Sequence, residues 1–224
     1  MPAEAGSDVA QRVMRAAKQL FFTRGYANTP LRAIAKEAGT SESGVLRIYH
    51  SKTGLLRAVY AECWAELNVL IEKALVAATK RDSDPRNLLI VLMRTVLEHY
   101  QEDPPLMNFM LSDFGFRETA GLSSSESIDP LIDARVRDEY HRYLERIHDL
   151  CEAAVKDRPW LASAGVTPAA LGHIYTSIVF GIQAGWYMES QEPLTPAPHV
   201  TIEETLTAVR FFMYPENPVA HNPR

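Results

Sequence analysis

Four times in this chain a capping side chain stands directly before a proline: Asp84-Pro85, Asp103-Pro104, Asp129-Pro130 and Thr167-Pro168. An Asp or Thr oxygen accepts from the open amides of a helix's first turn, and a proline there leaves no amide unpaired. Each pair therefore predicts a helix start. Thr29 before Pro30 predicts another, as do Ser41 and Ser51, and Thr201 with Glu204 has the spacing of a reciprocal capping box. Between these marks apolar residues recur every three or four positions, as in Val13, Ala16, Ala17, Leu20 and Phe21. No run alternates apolar and polar residues between Asn-Gly or Asp-Gly turns. The expectation is an all-α chain of about nine helices. The first covers about Asp8–Arg24 and ends at Gly25. The second starts at Pro30, capped by Thr29, and stops at Gly39. A third and a fourth follow Ser41 and Ser51, the fourth running to about Thr79, and the last covers about Ile202–Tyr214. Leu122–Ser127 and Gln191–His199 are expected as loops, with a frayed tail after Pro215.

The 46% hydrophobic content is enough for a sizeable core. No stretch of about 18 apolar residues exists, so no membrane partner is expected. The first ten residues include Glu4 and Asp8 and no apolar run, so no secretory signal is read there. Cys63 and Cys151 fit neither a disulfide framework nor a zinc spacing, and free thiols suit a reducing cytoplasm. The net charge of −5 speaks against a polyanion partner, but its distribution reverses that. Residues 1–52 hold eight basic and four acidic side chains, net +4; the rest hold fifteen and twenty-four, net −9. A basic head on an acidic body suits a polyanion-binding module joined to something else.

Within the head, Ile34, Ala35, Ala38, Val45 and Ile48 are the small or apolar positions of two short helices joined at Gly39. Steeply crossing helices need a small residue at their contact, which Ala35 supplies. Their tight turn needs a residue tolerating positive φ, which Gly39 supplies. Val45 and Ile48 then pack back onto the first of the pair. This is the helix-turn-helix spacing, shared with any αα-hairpin that turns on a glycine.

Residues 16–56 read AAKQLFFTRGYANTPLRAIAKEAGTSESGVLRIYHSKTGLL. This segment resembles the N-terminal domain of the TetR family of bacterial regulators. The likeness runs through Phe21-Phe22, Gly25-Tyr26, Thr29, Ile34-Ala35, Ala38-Gly39, Ser41, Tyr49, Ser51-Lys52 and Leu55-Leu56. It implies a three-helix DNA-binding domain over 1–52, an effector-binding and dimerisation bundle over 53–215, and a tail over 216–224. It also implies that the third helix enters the major groove. Thr40, Ser41, Glu42, Ser43, Gly44 and Arg47 would then face DNA. Arg47 would grip guanine O6 and N7, while Glu42 would accept from cytosine N4 or repel phosphate. Arg32 would reach a base or a phosphate. Thr29, Tyr49, His50 and Lys52 would clamp the backbone, with Tyr49 as a core residue the alternative. The sequence departs from the family at Leu46-Arg47-Ile48, where an aromatic followed by histidine is common. Leu46 either touches a thymine methyl or packs.

The resemblance further implies a body with an internal cavity for a largely apolar small molecule. Trp64, Asn68, Met93, Tyr100, Met110, Phe114, His148, Tyr175 and Ile178 are the effector-binding candidates. Asn108, His99, His173 and Gln183 are further polar residues within apolar helical runs. In the penultimate helix, Gly181, Ile182, Gly185 and Trp186 would meet a partner subunit, or the two glycines would admit a neighbouring helix of the same chain. Leu206, Val209, Phe212 and Met213 of the last helix would complete a two-fold four-helix interface. No metal site or cofactor is expected, because His141 and His148 lack a third ligand. No hydrolase elbow, phosphate loop or zinc-protease motif is present, so the chain is not read as an enzyme. These features together describe a cytoplasmic homodimeric repressor, associated with the nucleoid when bound to a palindromic double-stranded DNA operator and released by a small molecule. The alternative is an architectural, chromosome-associated protein with the same head and no effector.

Overall fold

The computed structural model describes residues 2–111, 130–191 and 201–213. Among the described residues there are ten helices and no strand. They are α1 (Pro2–Arg24), α2 (Leu31–Glu37), α3 (Glu42–Tyr49), α4 (Lys52–Thr79), α5 (Pro85–Glu102), α6 (Pro104–Leu111), α7 (Pro130–Lys156), α8 (Pro159–Ser163), α9 (Pro168–Gln191) and α10 (Ile202–Met213). The all-α expectation holds, with one helix more than the sequence suggested. The addition is α8, whose Pro159 follows Arg158, a residue with no capping side-chain bond. Most of the predicted caps form. Gly44 N donates to Ser41 Oγ at 3.1 Å and Gly54 N to Ser51 Oγ at 2.8 Å. Leu106 N donates to Asp103 Oδ1 at 3.0 Å, and Ala170 N to Thr167 Oγ1 at 3.1 Å. The Thr201–Glu204 box closes both ways, at 3.1 and 2.8 Å. Asp129 and the expected Leu122–Ser127 loop lie outside the described residues, as do most of Gln191–His199 and the tail.

Two expected starts are corrected. α1 begins at Pro2, not Asp8, with the proline at the first helical position, where its missing amide costs no hydrogen bond. α2 is preceded by Pro30 as its capping residue, and no side chain caps it. Thr29 does not turn forward to the helix. It is fully buried, and its hydroxyl donates to the Gly25 carbonyl at 2.8 Å, with the Leu20 carbonyl 3.2 Å away.

The chain forms two compact units. One comprises Met1–Glu66 with Asp103–His141, the other Leu67–Glu102 with Arg142–Arg224. In the first, Val13, Ala17 and Phe21 of α1 pack with Ile34 of α2, Val45 of α3 and Leu55, Leu56 and Val59 of α4. Phe109 of α6 lies 4.5 Å from the Tyr60 ring and 4.8 Å from Phe22, and Tyr60 donates its hydroxyl to the Phe109 carbonyl at 2.8 Å. In the second, α9 and α10 both pack on α5. Arg94 of α5 donates to Glu203 of α10 at 3.0 Å, and its bonds to Glu203 hold that carboxyl below the usual range. Gly172 of α9 lies against Ile147 and Cys151 of α7.

Candidate nucleic-acid interface and effector site

The turn between α2 and α3 is set by backbone geometry. Gly39 has φ +62°, and Thr40 N donates to the Ala35 carbonyl at 2.9 Å. Ala35 is buried at the crossing, as its size requires. Arg12 of α1 donates Nε to the Ala38 carbonyl at 3.0 Å, which ties the turn to the first helix. Tyr49, at the end of α3, is buried and donates its hydroxyl to the Ala10 carbonyl at 3.2 Å. Burial, then the Glu62 carboxylate, push its pKa up. The joint to α4 is equally close, because a Cβ on Gly54 would stand 2.2 Å from the Tyr49 carbonyl oxygen.

With Val45 and Tyr49 buried, the opposite side of α3 is exposed: Ser41, Glu42, Ser43, Leu46, Arg47 and His50. Thr40 and Gly44 are half-buried. Gly44 leaves room for the Thr40 hydroxyl, which would lie 2.6 Å from an added Cβ. Ser41 is occupied as the cap and hydrogen-bonds Ser43 at 2.9 Å. His50 ends α3 with φ +63°, a backbone value that non-glycine residues rarely hold. Arg32 and Lys36, one turn apart on α2, and Arg47 on α3 are exposed and form no ion pair among the described residues. Two other head cations are used internally: Arg12 pairs with Asp8, and Lys18 with Glu66.

Two of the expected backbone clamps are corrected. Thr29 and Tyr49 are buried, and their hydroxyls are committed to main-chain carbonyls of the same unit, so neither presents a donor to a phosphate. Lys52 has a double task. Its Nζ donates to the Tyr26 carbonyl at 2.6 Å and lies 4.0 Å from the centre of the Tyr26 ring, while Tyr26 Oη bonds Thr53 Oγ1 at 3.0 Å. An ammonium has three protons, so this brace leaves donors for a phosphate. Sequence reasoning missed the Lys52–Tyr26 brace, because the pairing depends on where α1 ends relative to α4.

Of the effector candidates, Trp64 and Met110 are buried in the first unit, with Trp64 5.1 Å from the Tyr140 ring. Asn68, Met93, Tyr100 and Tyr175 are buried in the second, where Ile178 is half-buried. His148 is exposed on α7 and is removed from a buried site. Phe114 lies outside the described residues. Gln183 is buried, as is the hydroxyl of Tyr175. Burial pushes the free thiols Cys63 and Cys151 up to about 12 and about 11, so both stay protonated at neutral pH.

On α9, Gly181 and Gly185 are exposed, and an added Cβ at either would meet nothing within 4 Å. Among the described residues no helix of the same chain packs against these two glycines. Ile182 and Trp186 are half-buried beside them. Leu206 and Val209 are buried within the single chain, on the α10 that packs against α5, so they are not available to a partner. The side chains of Phe212 and Met213 lie outside the described residues.

Residues 13–59 match the family profile described as bacterial regulatory proteins, tetR family. The match lies within the head, whose sequence is that of a tetR-family DNA-binding segment. No curated protein sequence matches it significantly. Its fold is similar to that of the TetR family transcriptional regulator PfmR from Thermus thermophilus, with 20% identity, TM-score 0.57, and coverage of 90% of this chain and 96% of that one. It is also similar to the regulator FadR from Bacillus subtilis, solved in complex with stearoyl-CoA, at 12% identity and TM-score 0.64, covering 92% and 98%. The fatty acid degradation regulator FadR from Bacillus halodurans aligns at 12% identity and TM-score 0.62, covering 91% and 93%. At these identities the likeness shows a shared fold. The tetR-family head is thus the same segment that carries the exposed α2–α3 surface.

Proposed function

We propose that this tetR-family regulator is a homodimeric repressor, acting in the bacterial cytoplasm, that binds a palindromic operator and leaves it when a largely apolar small molecule enters the body. It is regulatory and not catalytic in this reading. The division into a DNA-binding head over 1–52 and an effector and dimer bundle over 53–215 belongs to the same proposal. The observation that carries it is the outward face of the helix-turn-helix. Arg32, Lys36 and Arg47 are exposed and unpaired among the described residues, on two short helices held to α1 from behind. Cations placed so gain from releasing the counterions of a phosphate backbone, and Arg47 stands where a major-groove helix reads bases. Among the described residues no helix is long and apolar enough to cross a membrane.

Dimerisation is supported by α9. Ile174, Gly181 and Gly185 fall within about 40° of one another around the helix, on the side opposite Val179 and Gln183. Ile174 is 52% exposed. An apolar stripe with two glycines suits a close crossing with the same stripe on a second subunit. That the Bacillus subtilis FadR, a protein of this fold, is solved in complex with stearoyl-CoA supports a largely apolar effector. α4 runs unbroken from Lys52 to Thr79, which makes it the element for coupling effector to head. A hundredfold preference of the effector for the released state supplies about 2.7 kcal/mol of coupling.

Selection of bound duplexes from random DNA tests the reading. A single palindrome with half-sites about one helical turn apart, and affinity falling steeply with salt, is the expected result. Many dispersed sites with no common half-site would point to the architectural alternative, and no binding at low salt would end the proposal.

A further inference from the structure

Two polar groups on the inward ridge of α9 have no hydrogen-bond partner among the described residues: the Tyr175 hydroxyl and the Gln183 amide nitrogen. Tyr175 is 0% exposed and Gln183 8%. They lie eight residues apart, about 12 Å along the helix axis, with buried Val179 between them. An unpaired donor removed from water destabilises the fold that contains it, whereas phenylalanine or leucine at the same place would not. Such groups are kept where something else supplies the missing acceptor.

The surroundings limit what that something is. Among the described residues, the second unit buries no charged side chain, and its buried polar residues are Asn68 and Gln183. Four of its arginines are turned to acids: Arg94 to Glu203, Arg146 to Glu72, and Arg86 and Arg158 to Asp84. A carboxylate or phosphate drawn in beside Tyr175 would lose its hydration and meet no buried counter-charge among the described residues. Burial, and then Tyr143 and Cys151, push the Tyr175 phenol well above its ordinary pKa, so it keeps its proton across the physiological range.

We propose that Tyr175 and Gln183 donate hydrogen bonds to the effector, and that the part of the effector entering this unit is uncharged, with acceptor oxygens of the ketone, ester or ether kind on an apolar skeleton. The inference rests on the ligand-responsive reading above and names the ligand class for it.

The test uses the full chain and three probe pairs that share a skeleton: methyl decanoate with decanoate, methyl cinnamate with cinnamate, and methyl naphthoate with naphthoate. Thermal melting and titration calorimetry are read for each. In at least one pair the ester binds and raises Tm more than its acid does. Tyr175→Phe and Gln183→Leu each weaken that ester by about five- to tenfold. Without any probe, Tyr175→Phe raises Tm by about 2–4 °C, because the unpaired hydroxyl is gone. Preference for the acids, silence from every ester, or ester affinity unchanged in both variants would overturn the proposal. So would a lower probe-free Tm for Tyr175→Phe, which would show a structural role for the hydroxyl. The DNA selection above is scored separately. If a palindrome is found and the esters fail, this inference falls alone; if the esters bind through Tyr175 and no DNA is selected, the regulator reading falls.

Discussion

The outward faces of α3 and α9 follow opposite rules. α3 turns serine, glutamate, arginine and histidine to solvent, with Arg32 and Lys36 of α2 beside them. α9 turns out Ile174, Phe180 and two glycines, with His173 and Ser177 as exposed polar neighbours. Both helices bury their other side in the usual way: Val45 and Tyr49 in one, Tyr175 and Val179 in the other. The inward face decides where a helix sits, and the outward face decides what it meets. A face whose net charge is positive, as Arg32, Lys36 and Arg47 make this one, gains little from burial and much from releasing the counterions of a polyanion, and its affinity falls with salt. An apolar face gains from the area it removes from water, at about 25 cal/mol per Å², and salt hardly matters.

The largest expected effect comes from putting a charge on the apolar face. Ile174→Asp should turn the proposed dimer into monomers by analytical ultracentrifugation while leaving helix content by circular dichroism unchanged. Affinity for a duplex with two half-sites should then drop at least about a hundredfold, since the second head no longer binds as one body with the first. A variant that stays dimeric would remove α9 from the interface. Next is Arg47→Ala, expected to cost about 1–3 kcal/mol on the selected operator and much less on scrambled DNA. An equal loss on both would make Arg47 a phosphate contact and not a reader of bases. Lys52→Ala should act more evenly. It should weaken all duplexes several-fold and lower the salt slope by about one. It should also lower Tm, because Lys52 braces the Tyr26 carbonyl and ring. Normal Tm with weakened DNA binding would mean that the brace contributes nothing measurable to the fold.

What the sequence disclosed divides along the same line between local and distant. Ser41, Ser51, Asp103, Thr167 and the Thr201–Glu204 box act within one helical turn, so their neighbours in sequence are their neighbours in space. Gly39 was legible for the same reason, because its positive φ serves a turn of adjacent residues. Thr29 was not. Its hydroxyl turns back to Gly25 and Leu20, a choice set by how α1 ends. Leu206 and Val209 show the limit of periodicity, which finds an apolar face but not the helix that covers it; here the cover is within the chain. His148 stood among apolar residues in sequence, yet its position on α7 falls on the solvent side. Gln183 was visible as a polar residue in an apolar run, but that its amide nitrogen lacks a partner among the described residues emerges only once the neighbouring helices are in place.

The smallest effect belongs to the residue that breaks the contrast. Leu46 is the large apolar side chain on the charged face of α3, 42% exposed and one residue before Arg47. Its exposure leaves the thymine-methyl contact as the better of its two expected roles, since packing would have buried it. A leucine in the major groove gains from apolar contact with a thymine methyl and has no hydrogen bond to offer any base. Leu46→Ala should therefore weaken the selected operator only about two- to fivefold, on the order of 0.5–1 kcal/mol, as expected for losing part of one apolar contact. Replacing the contacted thymine by uracil removes the methyl and nothing else. That change should weaken the native protein by a similar factor and leave Leu46→Ala almost unaffected, so the two changes are not additive. If every thymine-to-uracil change in the half-site is neutral for the native protein, Leu46 reads no base, and the face of α3 owes its specificity to its polar side chains alone.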